Sequence, residues 1–206
     1  AFPLLRVMRP RLPALLAWIC ATLTGCGGGV DAAGGAGAAK EKAAMKVKIS
    51  TSGYNVTPLQ PERVAQLAAK LDPEVYKVTQ KAGTEAPFCG TLLDNHKDGT
   101  YVCVVCGLPL FSSEHKFNSG TGWPSFYREF DPEHVSRKRD LAYGMVRTEI
   151  NCARCSSHLG HVFDDGPRPT GERHCLNSAS LVFHEKGQPM PPESQPVKLE
   201  PAYFAG

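Results

Sequence analysis

A segment near the C-terminal end of the chain has the side chains best suited to chemistry. If residues 171–183 (GERHCLNSASLVF) form a strand, the two-residue side-chain period places Arg173, Cys175 and Asn177 on one face. A guanidinium beside a thiol favours the thiolate, which is the nucleophilic form. The segment therefore predicts an activated cysteine nucleophile, and a cysteine that only packs in the core is the alternative.

Four other cysteines have the spacing of metal ligands. Cys103 and Cys106 form one Cys-x-x-Cys pair and Cys152 and Cys155 form another, with residues 107–151 between them. Four thiolates are the ligand set of a closed, tetrahedral structural zinc site. We therefore expect one structural Zn²⁺ that ties distant parts of a single domain together. Two redox pairs or two disulfides are the alternative.

Two histidines, His158 and His161, follow the second cysteine pair. With the four cysteines assigned to zinc, both imidazoles are free to hold or release a proton near neutral pH. Cys152 and Cys155 with the two histidines form an alternative ligand set, but it leaves the first cysteine pair without a role. Asp165 follows His161 by four residues, so it could orient an imidazole or simply belong to a turn.

In type and order, these segments resemble the motifs of the B-type methionine sulfoxide reductases, which reduce the R epimer of methionine sulfoxide. The resemblance covers roughly residues 57–184. It rests on the two Cys-x-x-Cys pairs and on residues 122–126 (GWPSF), 158–163 (HLGHVF) and 173–181 (RHCLNSASL). Each motif alone is weak, but the ordered set is specific.

The resemblance implies a role for each candidate residue. The catalytic set comprises the nucleophile Cys175 with Arg173, His158, His161 and Asn177, and Asp165 is an orienting residue behind them. The substrate-binding set comprises Trp123, Phe126 and Phe163. On spacing alone, Trp123 in its Gly-Trp-Pro corner is equally well a core residue.

The chemistry of sulfoxide reduction agrees with these residue types. A thiolate attacks the sulfoxide sulfur, and a histidine protonates the departing oxygen. The protein thiol becomes a sulfenic acid, which other thiols reduce. We therefore expect methionine-R-sulfoxide in peptides or proteins as the substrate and a thioredoxin-like thiol protein as the reductant.

The chain departs from a common family pattern at Thr121, where many members have a resolving cysteine. Of its eight cysteines, four are assigned to zinc, Cys175 to catalysis, and Cys20 and Cys26 to the N-terminal segment. Only Cys89 is left, so we expect it to be the resolving thiol. A bystander cysteine, with direct reduction of the sulfenic acid by a thiol donor, is the alternative.

Residues 1–25 have the pattern of an export signal. Arg6, Arg9 and Arg11 are followed by a largely apolar run that is short for a membrane span. The Leu-Thr-Gly-Cys ending resembles a bacterial lipobox and predicts lipidation of Cys26. We expect a lipid-anchored protein of the bacterial cell envelope that faces the periplasm or exterior and repairs oxidised exported proteins. A soluble secreted protein or an organellar protein with a transit peptide is the alternative.

The rest of the sequence predicts one catalytic domain, residues 50–186, between two segments of biased composition. Glycine and alanine dominate residues 26–49, which is typical of a flexible tether. Five prolines make residues 187–206 an extended or loose tail.

Within the domain we expect a mainly β fold with two antiparallel sheets, short N-terminal helices and the four-cysteine zinc site. Pro61 and the Asp72-Pro73 pair mark helix starts. Strands are expected over residues 100–105, 145–150 and 172–182.

The net charge of +3 is too small to indicate nucleic-acid binding, and the composition excludes little else. We expect a monomer. Two other classes of function compete with a reductase: a zinc-organised binding module without catalysis, and a thiol protein whose Cys175 consumes peroxide.

Overall fold

The computed structural model describes residues 46–197. The signal peptide, the lipidation site at Cys26, tether residues 26–45 and tail residues 198–206 lie outside the described residues. Within the described range, no helix has both the length and the apolar character needed to cross a membrane. The expectations on export and anchoring therefore stay predictions.

Two short helices come first, α1 (Pro61–Ala68) and α2 (Pro73–Gln80). Ala68 is buried, and Val64 and Leu67 of α1 pack against the hydrophobic core. The second helix begins where the sequence predicts, because the Asp72 carboxylate accepts a 3.0 Å hydrogen bond from the backbone N–H of Glu74. α2 packs against the strand that contains both candidate histidines.

The described residues form nine strands, and each is antiparallel to its partners. They are β1 (Gly99–Cys103), β2 (Pro109–Ser112), β3 (Lys116–Phe117), β4 (Ser125–Phe126), β5 (Val135–Asp140), β6 (Arg147–Cys152), β7 (His158–Phe163), β8 (Arg173–Leu176) and β9 (Leu181–Glu185). One sheet has the order β2-β1-β9 and the other β3-β4-β8-β7-β6-β5. The predicted class, mainly β with two antiparallel sheets and short helices, is confirmed.

The single strand predicted over residues 172–182 is wrong in its length. The structure divides it into β8 and β9, with a 3₁₀ turn at Ser178–Ser180 between them. The Glu85 carboxylate accepts hydrogen bonds from the backbone N–H groups of Ser178 (2.6 Å) and Ala179 (3.0 Å). Because these backbone N–H groups have a hydrogen-bond acceptor that is not on a neighbouring strand, the chain can leave one sheet and enter the other.

Aromatic packing joins the two sheets. The Phe126 ring of β4 lies with its centroid 5.0 Å from that of Tyr101 in β1 and 4.8 Å from that of Phe111 in β2. All three side chains are fully buried. This contact fixes β4, and with it the position of Ser125 opposite Cys175 in β8.

The register of the six-stranded sheet places a row of polar side chains across five strands. Ser125 pairs with Cys175, and Cys175 pairs with His161. His161 in turn pairs with Glu149, and Glu149 with Lys138. Paired residues of antiparallel strands share a face. The sheet therefore brings side chains from distant parts of the sequence together around Cys175.

The beginning of the predicted tail is packed rather than loose. Ser194 is buried, and its hydroxyl donates a 2.6 Å hydrogen bond to the carbonyl of Gly107. The buried guanidinium of Arg154 donates to the carbonyls of Cys106 (3.0 Å) and Glu193 (2.9 Å). These contacts hold the tail against the turn that contains Cys106.

Candidate active site and metal centre

Cys175 lies in the wall of a small cavity of about 110 Å³. The cavity is formed by the loop before β1, the corner before β4 and the strands β6, β7 and β8. Its lining residues are Thr84, Trp123, Arg147, Gly160, His161, Phe163, Cys175, Leu176 and Asn177. Aromatic walls and a few converging polar groups are typical of a small-molecule site.

The electrostatic environment of Cys175 favours the thiol in the substrate-free protein. Burial raises the pKa of Cys175, and the nearby Arg173 guanidinium and Thr121 hydroxyl offset only part of this increase. The Thr121 hydroxyl oxygen lies 4.0 Å from the sulfur. Arg173 therefore favours the thiolate, as expected, but does not outweigh burial, and the proton has to leave as the reaction begins.

Arg173 is fixed beside Cys175 by a carboxylate and a ring. It donates two hydrogen bonds to Asp165, at 2.8 and 2.9 Å, and its guanidinium carbon lies 4.4 Å from the centroid of the Phe163 ring. The ion pair lowers the pKa of Asp165 and raises that of Arg173. Asp165 thus orients a residue beside Cys175, but that residue is Arg173 and not a histidine.

His161 is the histidine that lines the cavity, and Asp140 orients it. The His161 Nε2 atom lies 2.9 Å from an Asp140 oxygen that also accepts a 2.6 Å hydrogen bond from Arg147. The backbone N–H of Ala142, together with His161 and Arg147, holds the pKa of Asp140 at about 2.

The proton state of His161 follows from these contacts. Burial lowers its pKa, and the hydrogen bond to Asp140 opposes this only in part. The ring is therefore neutral at pH 7, with Nε2–H donating to Asp140 and an unprotonated Nδ1. Such a ring can take up the thiol proton of Cys175 and release it again.

His158 lies behind His161 rather than in the cavity wall. The two ring centroids are 5.5 Å apart, and only 3% of His158 is exposed. Its Nδ1 lies 2.7 Å from a Glu149 carboxylate oxygen, and its buried Nε2 has no hydrogen-bond partner among residues 46–197. The geometry therefore favours His161 as the proton donor, with His158 packed behind it.

The four predicted metal ligands form one buried cluster. Their sulfur atoms all lie within 4.8 Å of one another, and the closest separations are 3.5 Å, for Cys103 with Cys155 and for Cys106 with Cys152. Four sulfurs arranged tetrahedrally at about 2.3 Å from a zinc ion are separated by about 3.8 Å. The donor set therefore fits a structural zinc ion that joins the end of β1 to the end of β6.

Comparisons with known proteins agree with this geometry. Residues 71–185 match the SelR domain family. The chain is 53% identical over 138 residues to the peptide methionine sulfoxide reductase MsrB of Xylella fastidiosa strain 9a5c, which covers 67% of this chain and 89% of that protein. It is 54% identical over 143 residues to the MsrB of Caulobacter vibrioides strain NA1000, covering 69% and 90% of the two chains. The chain belongs to the MsrB family.

The residue that joins the pocket walls in this MsrB chain is Glu85, which sequence reasoning missed. Its backbone N–H donates to the Asn177 side-chain oxygen (3.0 Å), and its carbonyl accepts from the Trp123 indole N–H (3.1 Å). Asn177 also donates to the carbonyl of Leu159 at 3.1 Å. Glu85 thus positions two cavity residues at once, and no motif or spacing in the sequence points to it.

Phe126 is not part of the substrate pocket, contrary to expectation. Side chains alternate along β4, so Ser125 faces Cys175 and Phe126 points to the opposite side. There it is fully buried between Tyr101 and Phe111. Its role in this MsrB chain is to hold the two sheets together.

Cys89 is an exposed thiol on the loop that follows Glu85. The neighbouring Phe88 donates its backbone N–H to the carbonyl of Gly122 at 2.8 Å, which attaches the loop beside Trp123. Within the described part of this MsrB chain, Cys89 is the remaining cysteine once Cys175 and the metal cluster are set aside.

Proposed function

We propose that the chain reduces the R epimer of methionine sulfoxide, mainly in peptides and proteins. Membership of the MsrB family makes it a peptide methionine sulfoxide reductase, an oxidoreductase. One observation supports the proposal most directly: Cys175, His161 and Trp123 line the same small cavity. A sulfoxide placed there meets a nucleophile, a proton donor and an aromatic wall for its methyl group.

The chemical step begins with proton transfer. Neutral His161 takes the proton of Cys175, and Arg173 stabilises the resulting thiolate. The thiolate sulfur bonds to the sulfoxide sulfur while His161 returns the proton to the sulfoxide oxygen. The hydroxyl oxygen then moves to the Cys175 sulfur. In this step the substrate's sulfur–oxygen bond and the new sulfur–sulfur bond both break, and one electron pair stays on the substrate sulfur. The products are the thioether and the sulfenic acid of Cys175, so two electrons pass from the thiol to the sulfoxide and no proton is consumed.

Regeneration uses thiols in this proposal. Cys89 attacks the sulfenic acid, releasing water and forming a disulfide, which a thioredoxin-like reductant opens. Support comes from the exposure of Cys89 and from the attachment of its loop beside Trp123. Direct attack of the thiol donor on the sulfenic acid is the alternative route.

Zinc is the metal in this proposal, because four buried thiolates at these separations match its preferred ligands. When bound, it ties the ends of β1 and β6 together and takes no part in the chemical step.

For cellular location, the basic and apolar N-terminus and its Leu-Thr-Gly-Cys ending support a lipid anchor at Cys26 in the bacterial envelope. The oxidised substrates would then be exported proteins, and we propose a monomeric enzyme.

A single-turnover experiment tests the function and the regeneration route together. Reduced protein, freed of reductant, is mixed with an excess of a peptide that contains methionine-R-sulfoxide. We expect about one methionine peptide per chain in the initial burst and a disulfide between Cys89 and Cys175 in the peptide map.

The Cys89→Ser variant is the matched control. It should give the same burst but leave Cys175 as a sulfenic acid that dimedone traps. A wild-type burst without the disulfide would refute Cys89 as the resolving thiol and leave the reductase function standing. Absence of a burst from folded, reduced protein would refute the function itself.

A further inference from the structure

A second, larger cleft adjoins the cavity that contains Cys175. Its volume is about 590 Å³, and it shares Arg147 and Phe163 with the smaller cavity. It lies at the end of the six-stranded sheet where β5 and β7 end and β6 begins. Much of its lining, including Arg139, Thr148 and Val162, is on the side of the sheet opposite Cys175, so the cleft meets the smaller cavity around the end of the sheet. The smaller cavity, of about 110 Å³, is the size of a side chain, so the backbone and neighbours of a polypeptide substrate must lie on a surface that adjoins it, and this cleft is one such surface.

Positive charge dominates the lining of this cleft. Lys138 and Arg139 are exposed on the edge strand β5 and alternate along it, with Lys138 on the side of the sheet that faces Cys175 and Arg139 on the other side. Neither forms an ion pair with any residue in the range 46–197. Arg137 and Arg147 also line the cleft, although each is already bound to carboxylates. The lining contains two carboxylates against four cations, and Arg137 binds one of the two. The cleft therefore complements negative charge.

Exposed apolar side chains lie next to these cations, on the turn between β5 and β6. Leu141 is 60% exposed, Met145 46% and Val146 70%, and Val146 also lines the cleft. Apolar groups left in solvent beside a functional cavity are typical of a surface that binds another chain. Together with the unpaired cations, they fit an extended polypeptide that has both acidic and apolar residues.

We propose that this cleft binds the polypeptide segment next to the oxidised methionine and selects acidic residues in it. The proposal rests on the reductase function, because it is the sulfoxide in the smaller cavity that brings the segment to the cleft. The unpaired cations Lys138 and Arg139 provide the selection, since their attraction to carboxylates is not already satisfied within the protein.

The test compares three short peptides with the full-length protein and dithiothreitol as the reductant. Each contains one methionine-R-sulfoxide, flanked by glutamates, glutamines or lysines. We expect kcat/KM to be about tenfold higher for the glutamate peptide than for the lysine peptide at low ionic strength, mainly through KM. The difference should shrink to less than about twofold in 0.5 M salt, where charges are screened within a few ångströms.

Two variants locate the effect. The double change Lys138→Gln and Arg139→Gln should remove most of the preference for the glutamate peptide. Arg128→Gln removes one positive charge near His115, beside the opposite edge of the sheet, and should keep the preference.

Equal rates for the three wild-type peptides would overturn the inference but not the reductase function, whereas no turnover of any peptide would overturn both. A double variant that keeps the peptide preference and raises only the KM for a thioredoxin-type donor would also overturn it, because the surface would then serve the reductant.

Discussion

Replacing Cys175 by serine is expected to reduce sulfoxide turnover by at least about 10³-fold, because a hydroxyl is a far weaker nucleophile than a thiolate near neutral pH. The two side chains are close in size, and Cys175 is only partly buried, so the fold should be retained. The measurement is the dithiothreitol-driven rate with a sulfoxide peptide, accompanied by the melting temperature. The same variant should form no dimedone-trapped sulfenic acid at this position.

Cys89→Ser is the matched control for this change, since it removes one thiol at an exposed site. It should keep turnover with dithiothreitol, because a small thiol can reduce the sulfenic acid directly. Retention of more than about one tenth of the wild-type rate by Cys175→Ser would mean that another group attacks the sulfoxide, since loss of a true nucleophile costs several orders of magnitude.

Replacing Cys152 by serine is expected to destabilise the whole domain. A structural zinc ion held by four thiolates contributes about 10 kcal/mol or more in small zinc-binding peptides. The total stability of a typical domain is only about 5–15 kcal/mol. Cys152 is fully buried at the end of β6, and two of its three cluster partners, Cys103 and Cys106, lie on a distant segment. We expect the purified variant to lack bound zinc and to be largely unfolded at 37 °C, as judged by circular dichroism.

Metal analysis of the wild-type protein completes this test. It should contain one zinc per chain, and prolonged chelation should lower its melting temperature toward that of the variant. Cys89→Ser should change neither the zinc content nor the melting temperature. A Cys152→Ser protein with an unchanged melting temperature would contradict the structural role of the cluster, whatever metal it contains.

Much of the fold could be predicted from signals between residues that are close in the sequence. Asp72 and Pro73 predicted the start of α2 because a helix cap depends on neighbours within a few residues. The break between β8 and β9 could not be predicted in this way. It depends on the carboxylate of Glu85, which is 93 residues away from Ser178 in the sequence.

In the candidate site too, contacts between sequence neighbours could be predicted, and contacts made only by the fold could not. Arg173 and Cys175 could be placed together because they alternate on one strand. The partners of the histidines could not, because Asp140 and Glu149 reach them only through the register of β5, β6 and β7. Sequence proximity suggested Asp165 for that role, but the folded chain directs it to Arg173. Likewise, the resting state of the Cys175 thiol depends on burial, which sequence neighbours do not reveal.

The most direct test of the reductase account is turnover of the separated R and S epimers of one methionine sulfoxide peptide. The full-length, zinc-replete protein is assayed with dithiothreitol, and hydrogen peroxide is supplied in a parallel reaction. We predict rapid conversion of the R epimer, no conversion of the S epimer above background, and peroxide consumption slower than R-sulfoxide reduction. Equal rates for the two epimers, or peroxide consumption that outpaces both, would contradict it.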